Sequence, residues 1–240
     1  MTLNNTLTER RVLVIGGTSG FGRAVAGQAL EDGADVTIIG HTRSHLDETL
    51  SLLAGAHGAL LDATDTAQLS DWLATARDFD HVVSTLGGAM GGGFLDHTEQ
   101  EEVDAISGKF TVGMRVARAV LPHLGNGGSL TLTAGAGGRP YNASGAVVGN
   151  QALMTLVQGL AIEVSPHKRV NAVAPYWTPT GLWRGLSQAE LDVQIAAQAR
   201  QIPLGRVALP EEVADAYLFL MRNRFVTGQT IFVDGGVSAL

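Results

Sequence analysis

The feature that most constrains how this chain folds is an alternation of short, uninterrupted apolar runs with longer segments of helical periodicity. The apolar runs are rich in Val, Ile and Leu and mostly lack polar alternation, which is typical of strands covered on both faces. Strands are predicted at residues 11–15, 35–39, 58–61, 81–85, 129–133, 169–174 and 230–233. Helices are predicted at residues 21–32, 44–54, 66–77, 99–124, 143–164 and 211–223.

This order predicts the α/β class, with a single doubly wound parallel sheet of about seven strands between two layers of helices. The chain shows no internal repeat, low-complexity tract or linker, so residues 1–240 are expected to form one domain. Residues 176–209 interrupt the alternation with Tyr176, Trp177, Trp183 and an Ala/Gln-rich helix. In open α/β sheets such a segment often covers the ligand crevice. Its aromatic group is expected either to pack within a lid or to stack on the substrate.

Composition excludes several classes of function. The 240 residues include no cysteine, so disulfides, thiolate zinc sites and cysteine nucleophiles are excluded. A net charge of −7 argues against a general nucleic-acid binder. The seven histidines show no metal-ligand spacing, so no metal is expected. No signal-peptide pattern and no apolar stretch approaching membrane-spanning length is recognised, so the expectation is a soluble cytoplasmic protein without a membrane partner.

Glycine is over-represented, with 31 residues, and one cluster follows the first predicted strand directly. Glycine permits a tight turn there, and it lets backbone N–H groups at a helix N-terminus meet a pyrophosphate. The pattern therefore predicts a dinucleotide phosphate site, the alternative being a strand–helix turn that binds nothing. The turn consists of Gly16, Gly17, Thr18, Ser19, Gly20, Phe21 and Gly22.

The spacing of this turn, G-x-x-x-G-x-G, resembles the short-chain dehydrogenase/reductase family, and the resemblance extends over nearly the whole chain. Further matching motifs are LLDATD around Asp62, RVNAVAP at 169–175, PEEVAD from Pro210, and TGQ and VDGG near the C-terminus. The resemblance implies a Rossmann-type, three-layer fold, a nicotinamide cofactor and a small-molecule substrate. It also implies a homotetramer or homodimer, in which the helices at 99–124 and 143–164 form a four-helix interface. The apolar stripes of these helices agree with such an interface but would also suit burial within one chain.

The resemblance also implies where the cofactor is bound. These contacts come from the glycine turn, the tips of the second to fourth strands, two long helices and the end of the sixth strand. The residues are Gly16, Thr18, Ser19, Gly20, Phe21, Gly22, His41, Thr42, Arg43, Asp62, Ala63, Thr85, Leu86, Gly87, Lys109, Asn150, Pro175, Thr178 and Thr180.

The tip of the second strand favours NADP(H) over NAD(H). NAD enzymes place a carboxylate there for the ribose hydroxyls, whereas NADP enzymes place cations. Here the strand is followed by His41, Thr42 and Arg43, and Asp47 comes a turn too late. The alternative is that His41 and Arg43 are solvated residues at a helix start. Ser19 counts against NADP, because many NADP-binding members of the family carry a basic residue at that position.

This chain departs from the catalytic pattern of the family. The family uses a serine, a tyrosine with a lysine four residues later, and an asparagine on the preceding long helix. None of the three tyrosines is followed by lysine at that spacing. Counting back from Glu163, the tyrosine and lysine positions fall on Ala146 and Asn150. The serine position falls on Ala134, or on Thr133 with a shifted loop.

Counting back from Pro122, the asparagine position falls on Lys109, so the lysine and the asparagine have changed places. Lys109 is expected to hold the cofactor ribose with Asn150 as its amide partner. The alternative is that Lys109 is an ordinary cation of the long helix. Tyr141, in the sequence YNASG, is a second candidate proton donor. It is predicted to be a loop residue near the site, because otherwise the following helix would be too long.

The leading hypothesis is an NADP(H)-dependent oxidoreductase with an atypical active site, acting on a carbonyl or alcohol of a small metabolite. Its pocket is expected between residues 87–94, 134–146 and 176–190. One alternative is a non-redox cyclase, isomerase or dehydratase on the same scaffold. The other is a non-catalytic NADP-binding sensor.

Overall fold

The computed structural model describes residues 6–240 and contains a seven-stranded sheet in which all strands are parallel. The strands are β1 (Arg11–Ile15), β2 (Asp35–Gly40), β3 (His57–Leu60), β4 (Phe79–Ser84), β5 (Leu124–Thr133), β6 (Arg169–Pro175) and β7 (Thr230–Val233). The helices are α1 (Gly20–Glu31), α2 (Arg43–Leu52), α3 (Thr66–Thr75), α4 (Glu99–Val120), α5 (Pro140–Glu163), α6 (Gln188–Ala199) and α7 (Pro210–Arg222).

The strand order is β3-β2-β1-β4-β5-β6-β7, so the chain reverses direction across the sheet between β1 and β4. At such a switch point the loops at the carboxyl ends of the strands diverge and leave a crevice for a ligand. The glycine turn leaves β1 at this point. The predicted doubly wound parallel sheet is therefore confirmed, and its switch point coincides with the predicted phosphate site.

Apolar side chains cover both faces of the sheet. In β1, Leu13 and Ile15 pack into the core layer beneath α3, α4 and α5, whereas Val12 and Val14 pack into the layer beneath α1, α2 and α7. Successive residues of a strand point to opposite faces, so a strand buried on both sides is apolar throughout. This is why the apolar runs in the sequence lack polar alternation.

The structure corrects the predicted start of α5. Sequence periodicity predicts a helix from Ala143, but α5 begins at Pro140 and loses helical geometry at Ala143, where φ is −153° and ψ is 27°. Tyr141 therefore lies in the first turn of a kinked helix, and the prediction that it is a loop residue is wrong. Proline at the first helical position favours this early start, because its missing N–H has no partner there anyway.

α5 also corrects the expectation that no segment approaches membrane-spanning length. Its 24 residues, with a mean hydropathy of 1.3 in the most apolar stretch, are sufficient by length and composition alone. In the fold, however, α5 packs against α4 and β6, and it buries Leu153, Val157 and Ala161 in the core. The face of α5 that meets the core is apolar because its neighbours there are apolar.

Candidate functional site

The glycine turn is held in a shape that only glycine accommodates at two positions. Gly16 has a φ of +82°, and a β-carbon on Gly22 would lie 2.4 Å from the Gly16 carbonyl oxygen. Thr85, at the end of β4, donates its hydroxyl to the carbonyl oxygens of Ile15 and Gly16, at 3.2 and 3.1 Å. Thr85 was predicted to contact the cofactor; in the structure its hydroxyl braces the turn from below.

The N-terminus of α1 has no side-chain cap. Ser19 is the N-cap residue, yet its side chain accepts no hydrogen bond from the first turn of the helix. The backbone N–H groups there keep their capacity to bind an anion, and the helix dipole favours negative charge at this end. The turn is therefore suited to a pyrophosphate, as the sequence predicts.

Next to the turn lies a cleft of about 410 Å³, large enough for a nucleotide fragment. It is formed by the tips of β1, β2 and β3, by the loop after β4 and by α4. Its predicted members are Gly16, His41, Asp62, Ala63, Leu86 and Gly87. Gly108 and Val112 of α4 also line it and were missed, because nothing in the sequence tells which face of that helix meets the cleft.

Asp62 supplies the charge at the outer end of this cleft. Its Oδ1 accepts hydrogen bonds from the Thr64 hydroxyl at 2.7 Å and from the Thr64 backbone N–H at 2.9 Å. These bonds, the one from the hydroxyl foremost, lower the pKa of Asp62. The carboxylate is thus ionised at neutral pH and can accept a hydrogen bond from a ligand amine.

The tip of β2 presents no carboxylate, as predicted. His41 lines the cleft, and its Nδ1 lies 3.1 Å from the Thr42 hydroxyl. Arg43 lies 3.8 Å from Asp47 in a pair whose side chains are 67% and 60% exposed. Exposed pairs of this kind contribute little free energy. The Arg43 guanidinium is therefore available to an anion, although Asp47 partly offsets its charge.

Lys109 points inward from α4. A β-carbon on Gly87 would lie 2.5 Å from Lys109 Nζ, and one on Gly149 would lie 3.0 Å from Lys109 Cβ. The lysine thus fits between the loop after β4 and helix α5 because both neighbours are glycines. Burial lowers the pKa of its ammonium to about 8. Within residues 6–240 no hydrogen-bond or ion-pair partner of Nζ is found, so its donors remain open to a ligand.

Asn150 lies on the facing side of α5, but it is not the amide partner of Lys109. A β-carbon on Gly135 would lie 2.8 Å from Asn150 Nδ2, so the amide packs on the loop after β5. Its Oδ1 is buried and has no hydrogen-bond partner in the described part of the chain. The predicted contact with Lys109 is absent because the two side chains turn toward different loops. A buried acceptor left unsatisfied costs free energy unless a ligand or water supplies a donor.

The positions predicted for the family's serine and tyrosine carry no hydroxyl into the site. Ala134 and Ala146 are both buried. Thr133, the alternative serine position, donates its hydroxyl to the Ser84 carbonyl oxygen at 2.7 Å and lies 2.7 Å from Tyr217 Oη. That pair belongs to the core. Tyr141 is 77% exposed at the start of α5.

Comparison with known proteins gives the family. A family model described as enoyl-(acyl carrier protein) reductase matches residues 16–238. Short-chain dehydrogenase/reductase ATR9 of Stachybotrys chlorohalonatus is 32% identical over 256 residues, covering 96% of this chain and 98% of that protein. The chain belongs to the short-chain dehydrogenase/reductase family. Membership of this family implies a nicotinamide cofactor and oxidoreductase chemistry.

Other relatives of this short-chain dehydrogenase/reductase have more specific names. L-xylulose reductase of Bos taurus is 31% identical over 249 residues, which cover 97% of this chain and 98% of that protein. The solved structure of MalC Reductase/Diels-Alderase from Malbranchea aurantiaca has a TM-score of 0.86 at 28% identity, with 98% of both chains covered. The matches extend over nearly the full length of this chain and of these relatives.

The residues of this short-chain dehydrogenase/reductase fit a nicotinamide dinucleotide. The glycine turn leaves no room for a β-carbon on Gly22. Among residues 6–240, the Lys109 ammonium has no partner and the buried Asn150 Oδ1 has no donor. Gly22 follows the tip of β1, Lys109 lies against Gly87 in the loop after β4, and Asn150 lies against Gly135 in the loop after β5. Ribose hydroxyls can both accept from an ammonium and donate to an amide oxygen.

The segment 176–209 of this short-chain dehydrogenase/reductase is ordered by its own aromatic residues. The rings of Trp177 and Trp183 lie 5.2 Å apart, and Trp183 Nε1 donates to the Thr178 carbonyl oxygen at 3.0 Å. Tyr176 Oη donates to Gln198 Oε1 at 2.9 Å, which ties α6 to the end of β6. Of the two predicted roles, the structure favours packing within the segment. Thr178, a predicted cofactor contact, is buried and donates its hydroxyl to the Tyr176 carbonyl oxygen.

Proposed function

We propose that this protein is an NADP(H)-dependent oxidoreductase that interconverts a carbonyl and an alcohol of a small metabolite, with Lys109 serving where the family uses a tyrosine and a lysine. The observation that carries this proposal is the Lys109 ammonium, which has no partner in the described part of the chain and lies against Gly87 at the carboxyl end of β4. Lys109 is half-buried, and desolvation of an ammonium that has no counter-ion within residues 6–240 is unfavourable for folding. A ligand role explains its position better.

The residues divide the work as follows. The glycine turn and the α1 N-terminus bind the pyrophosphate, and Asp62 binds the adenine edge. Lys109 and Asn150 hold the ribose next to the nicotinamide. The cofactor, when bound, supplies or accepts the hydride at the substrate carbon. In the direction of reduction, Lys109 donates a proton from Nζ to the carbonyl oxygen, so that C=O becomes CH–OH, and the resulting amine regains its proton from water.

Two features support a lysine donor over a tyrosine donor. An ammonium with a pKa of about 8 is protonated at neutral pH and is a far stronger acid than an ordinary phenol. General acids act best when their pKa lies near the working pH. By contrast, the Tyr141 hydroxyl is largely in solvent. The names of the relatives, L-xylulose reductase among them, support a small carbonyl compound as substrate.

A non-redox reaction on the same scaffold is the second candidate. Ala134 and Ala146 leave no hydroxyl pair for carbonyl reduction at the positions predicted from the family. One solved neighbour is named both a reductase and a Diels-Alderase, which favours a cyclisation within this alternative. Substrate conversion that leaves NADPH unchanged is the expected signature. A protein that binds NADPH but converts no substrate matches the third candidate, a non-catalytic sensor.

We further propose a cytoplasmic homotetramer or homodimer. The outer faces of α4 and α5 expose Val103 and Val148, and α5 also exposes Ile162 near its end. Apolar side chains on two adjacent long helices are the kind of surface that a second copy covers. The same helices carry Lys109 and Asn150 on their inner faces, so association would also stiffen the site.

The preference for NADP(H) is tested by titrating NADPH and NADH into the purified protein by calorimetry. We expect NADPH to bind more tightly than NADH. Arg43→Ala is expected to weaken NADPH by about three- to tenfold and to leave NADH unchanged, because an exposed charge-assisted hydrogen bond to phosphate is lost. A protein that binds NADH more tightly, or an Arg43→Ala variant that weakens both equally, would refute the preference.

A further inference from the structure

The segment 176–209 lies directly on the glycine turn. A β-carbon on Gly20 would lie 2.9 Å from Thr180 Cβ, and one on Gly181 would lie 3.0 Å from Ser19 Cβ. The contact therefore depends on glycines on both sides, one in the turn and one in the segment. Close approach of two backbones is a common use of glycine. Residues that follow Gly181 are thereby brought over the phosphate site.

This contact positions Arg184 near the glycine turn. Its guanidinium is held by a hydrogen bond from Nε to the Gly181 carbonyl oxygen at 2.6 Å. From there, Nη2 lies 3.4 Å from the Ser19 hydroxyl and Nη1 lies 3.5 Å from His45 Nδ1. The guanidinium thus spans the gap between the glycine turn and the first helical turn of α2. The family resemblance places the adenine ribose near this gap.

No carboxylate pairs with Arg184 in the described part of the chain. Arg43, the cation predicted from sequence, shares its charge with Asp47. The two outer contacts of Arg184 are at the long limit for hydrogen bonds, so they are weak and easily exchanged for an anion. Arginine is well matched to phosphate, because its planar fork donates two parallel hydrogen bonds.

We propose that Arg184 binds the 2′-phosphate of NADP(H), together with Ser19 and His45. The segment 176–209 would then take part in cofactor recognition. This inference rests on the proposed function. Ser19 stands where many NADP-binding members of the family carry a basic residue. In this proposal Arg184, from the segment 176–209, supplies the positive charge that Ser19 lacks. Because the same segment is expected to border the substrate pocket, phosphate binding would also hold that border in place.

The test is a calorimetric titration of wild type, Arg184→Ala and Arg184→Lys with NADPH and NADH. Adenosine 2′,5′-bisphosphate and AMP serve as probes that carry and lack the 2′-phosphate. In Arg184→Ala, loss of the bidentate contact is expected to weaken binding of NADPH and of the bisphosphate by at least about tenfold. Binding of NADH and AMP should change by less than about twofold. Lysine is expected to recover part of the loss. Arg200→Ala, an exposed arginine of the same segment, is the matched control and should behave as wild type.

A second readout does not depend on affinity. NADPH should slow amide hydrogen exchange over residues 180–187 in wild type, NADH should slow it less, and Arg184→Ala should remove the difference. Equal weakening of NADPH and NADH would overturn the inference, since Arg184 would then contact the shared pyrophosphate. Unchanged NADPH binding in Arg184→Ala would overturn it too, and would leave the proposed function intact. A wild type that binds neither cofactor nor the bisphosphate would overturn both.

Discussion

Replacing Lys109 with methionine is expected to reduce turnover by about 10²–10⁴-fold, the usual loss when a positioned general acid is removed. Methionine keeps most of the volume of the lysine stem, so the packing between Gly87 and Gly149 is preserved. NADPH binding should weaken as well, by about tenfold, because a charge-assisted hydrogen bond to the ribose is lost. Steady-state rates and calorimetry measure the two effects separately.

The pH profile distinguishes a proton donor from a structural lysine. With a pKa of about 8, the ammonium is intact below pH 8 and is lost above it. The rate of carbonyl reduction at saturating NADPH should therefore be level below pH 8 and fall as pH rises beyond it. The residual rate of Lys109→Met should lack this step. If Tyr141→Phe, and not Lys109→Met, abolished turnover, the donor would be Tyr141.

The lowered pKa of Lys109 also predicts that the loss of turnover in Lys109→Met is not caused by unfolding. The ordinary pKa of lysine is 10.5 and the folded value is about 8, so folding disfavours the charged form. This penalty is fully present below pH 8 and disappears as pH rises toward 10.5. Lys109→Met should thus be at least as stable as wild type at pH 7 in thermal denaturation. Arg115→Met, an exposed position on the same helix, should change neither rate nor pH profile.

Gly22→Ala is expected to weaken cofactor binding by about 100-fold or more, because misplacing a binding group by about 1 Å can cost that much. The new β-carbon would lie 2.4 Å from the Gly16 carbonyl oxygen and 2.8 Å from Gly17 Cα. Both neighbours are backbone, so the turn itself must move. Calorimetric titration with NADPH measures the effect.

Gly27→Ala is the matched control on the same helix. Its β-carbon would meet only Leu53 Cδ2, at 3.4 Å, which is an ordinary contact. Alanine is favoured over glycine in a helix by about 1 kcal/mol, so this variant should gain stability and bind NADPH as wild type does. If Gly22→Ala bound NADPH normally, the glycine turn would not be the pyrophosphate site.

Much of the fold follows from patterns that are local in sequence. The apolar runs predict β1 and β7 to the residue. In β1 the reason is burial on both faces, which requires apolar residues at successive positions. The prediction is less accurate between α4 and β5. There the structure ends the helix at Val120 and starts the strand at Leu124, and the pairing of β5 with β4 is irregular before Ser129. That stretch is rich in glycine, so it lacks the apolar run from which a strand is predicted.

The site was harder to predict, because it depends on where side chains turn. Counting along α4 and α5 places Lys109 and Asn150 near each other, but only the structure shows that one faces Gly87 and the other Gly135. Arg184 carried no signal in the sequence. It meets Ser19 across 165 residues of chain, and that contact arises from the packing of Thr180 on the glycine turn.

The most direct test of the central claim is transfer of label from NADPH deuterated at the reactive carbon of the nicotinamide. The protein is incubated with the labelled cofactor and a panel of small aldehydes and ketones, and the products are examined by mass spectrometry and NMR. We predict deuterium on the new carbinol carbon of at least one product, from one face of the nicotinamide only. Substrate conversion without label transfer, or tight NADPH binding with no transfer to any member of a broad panel, would contradict the claim.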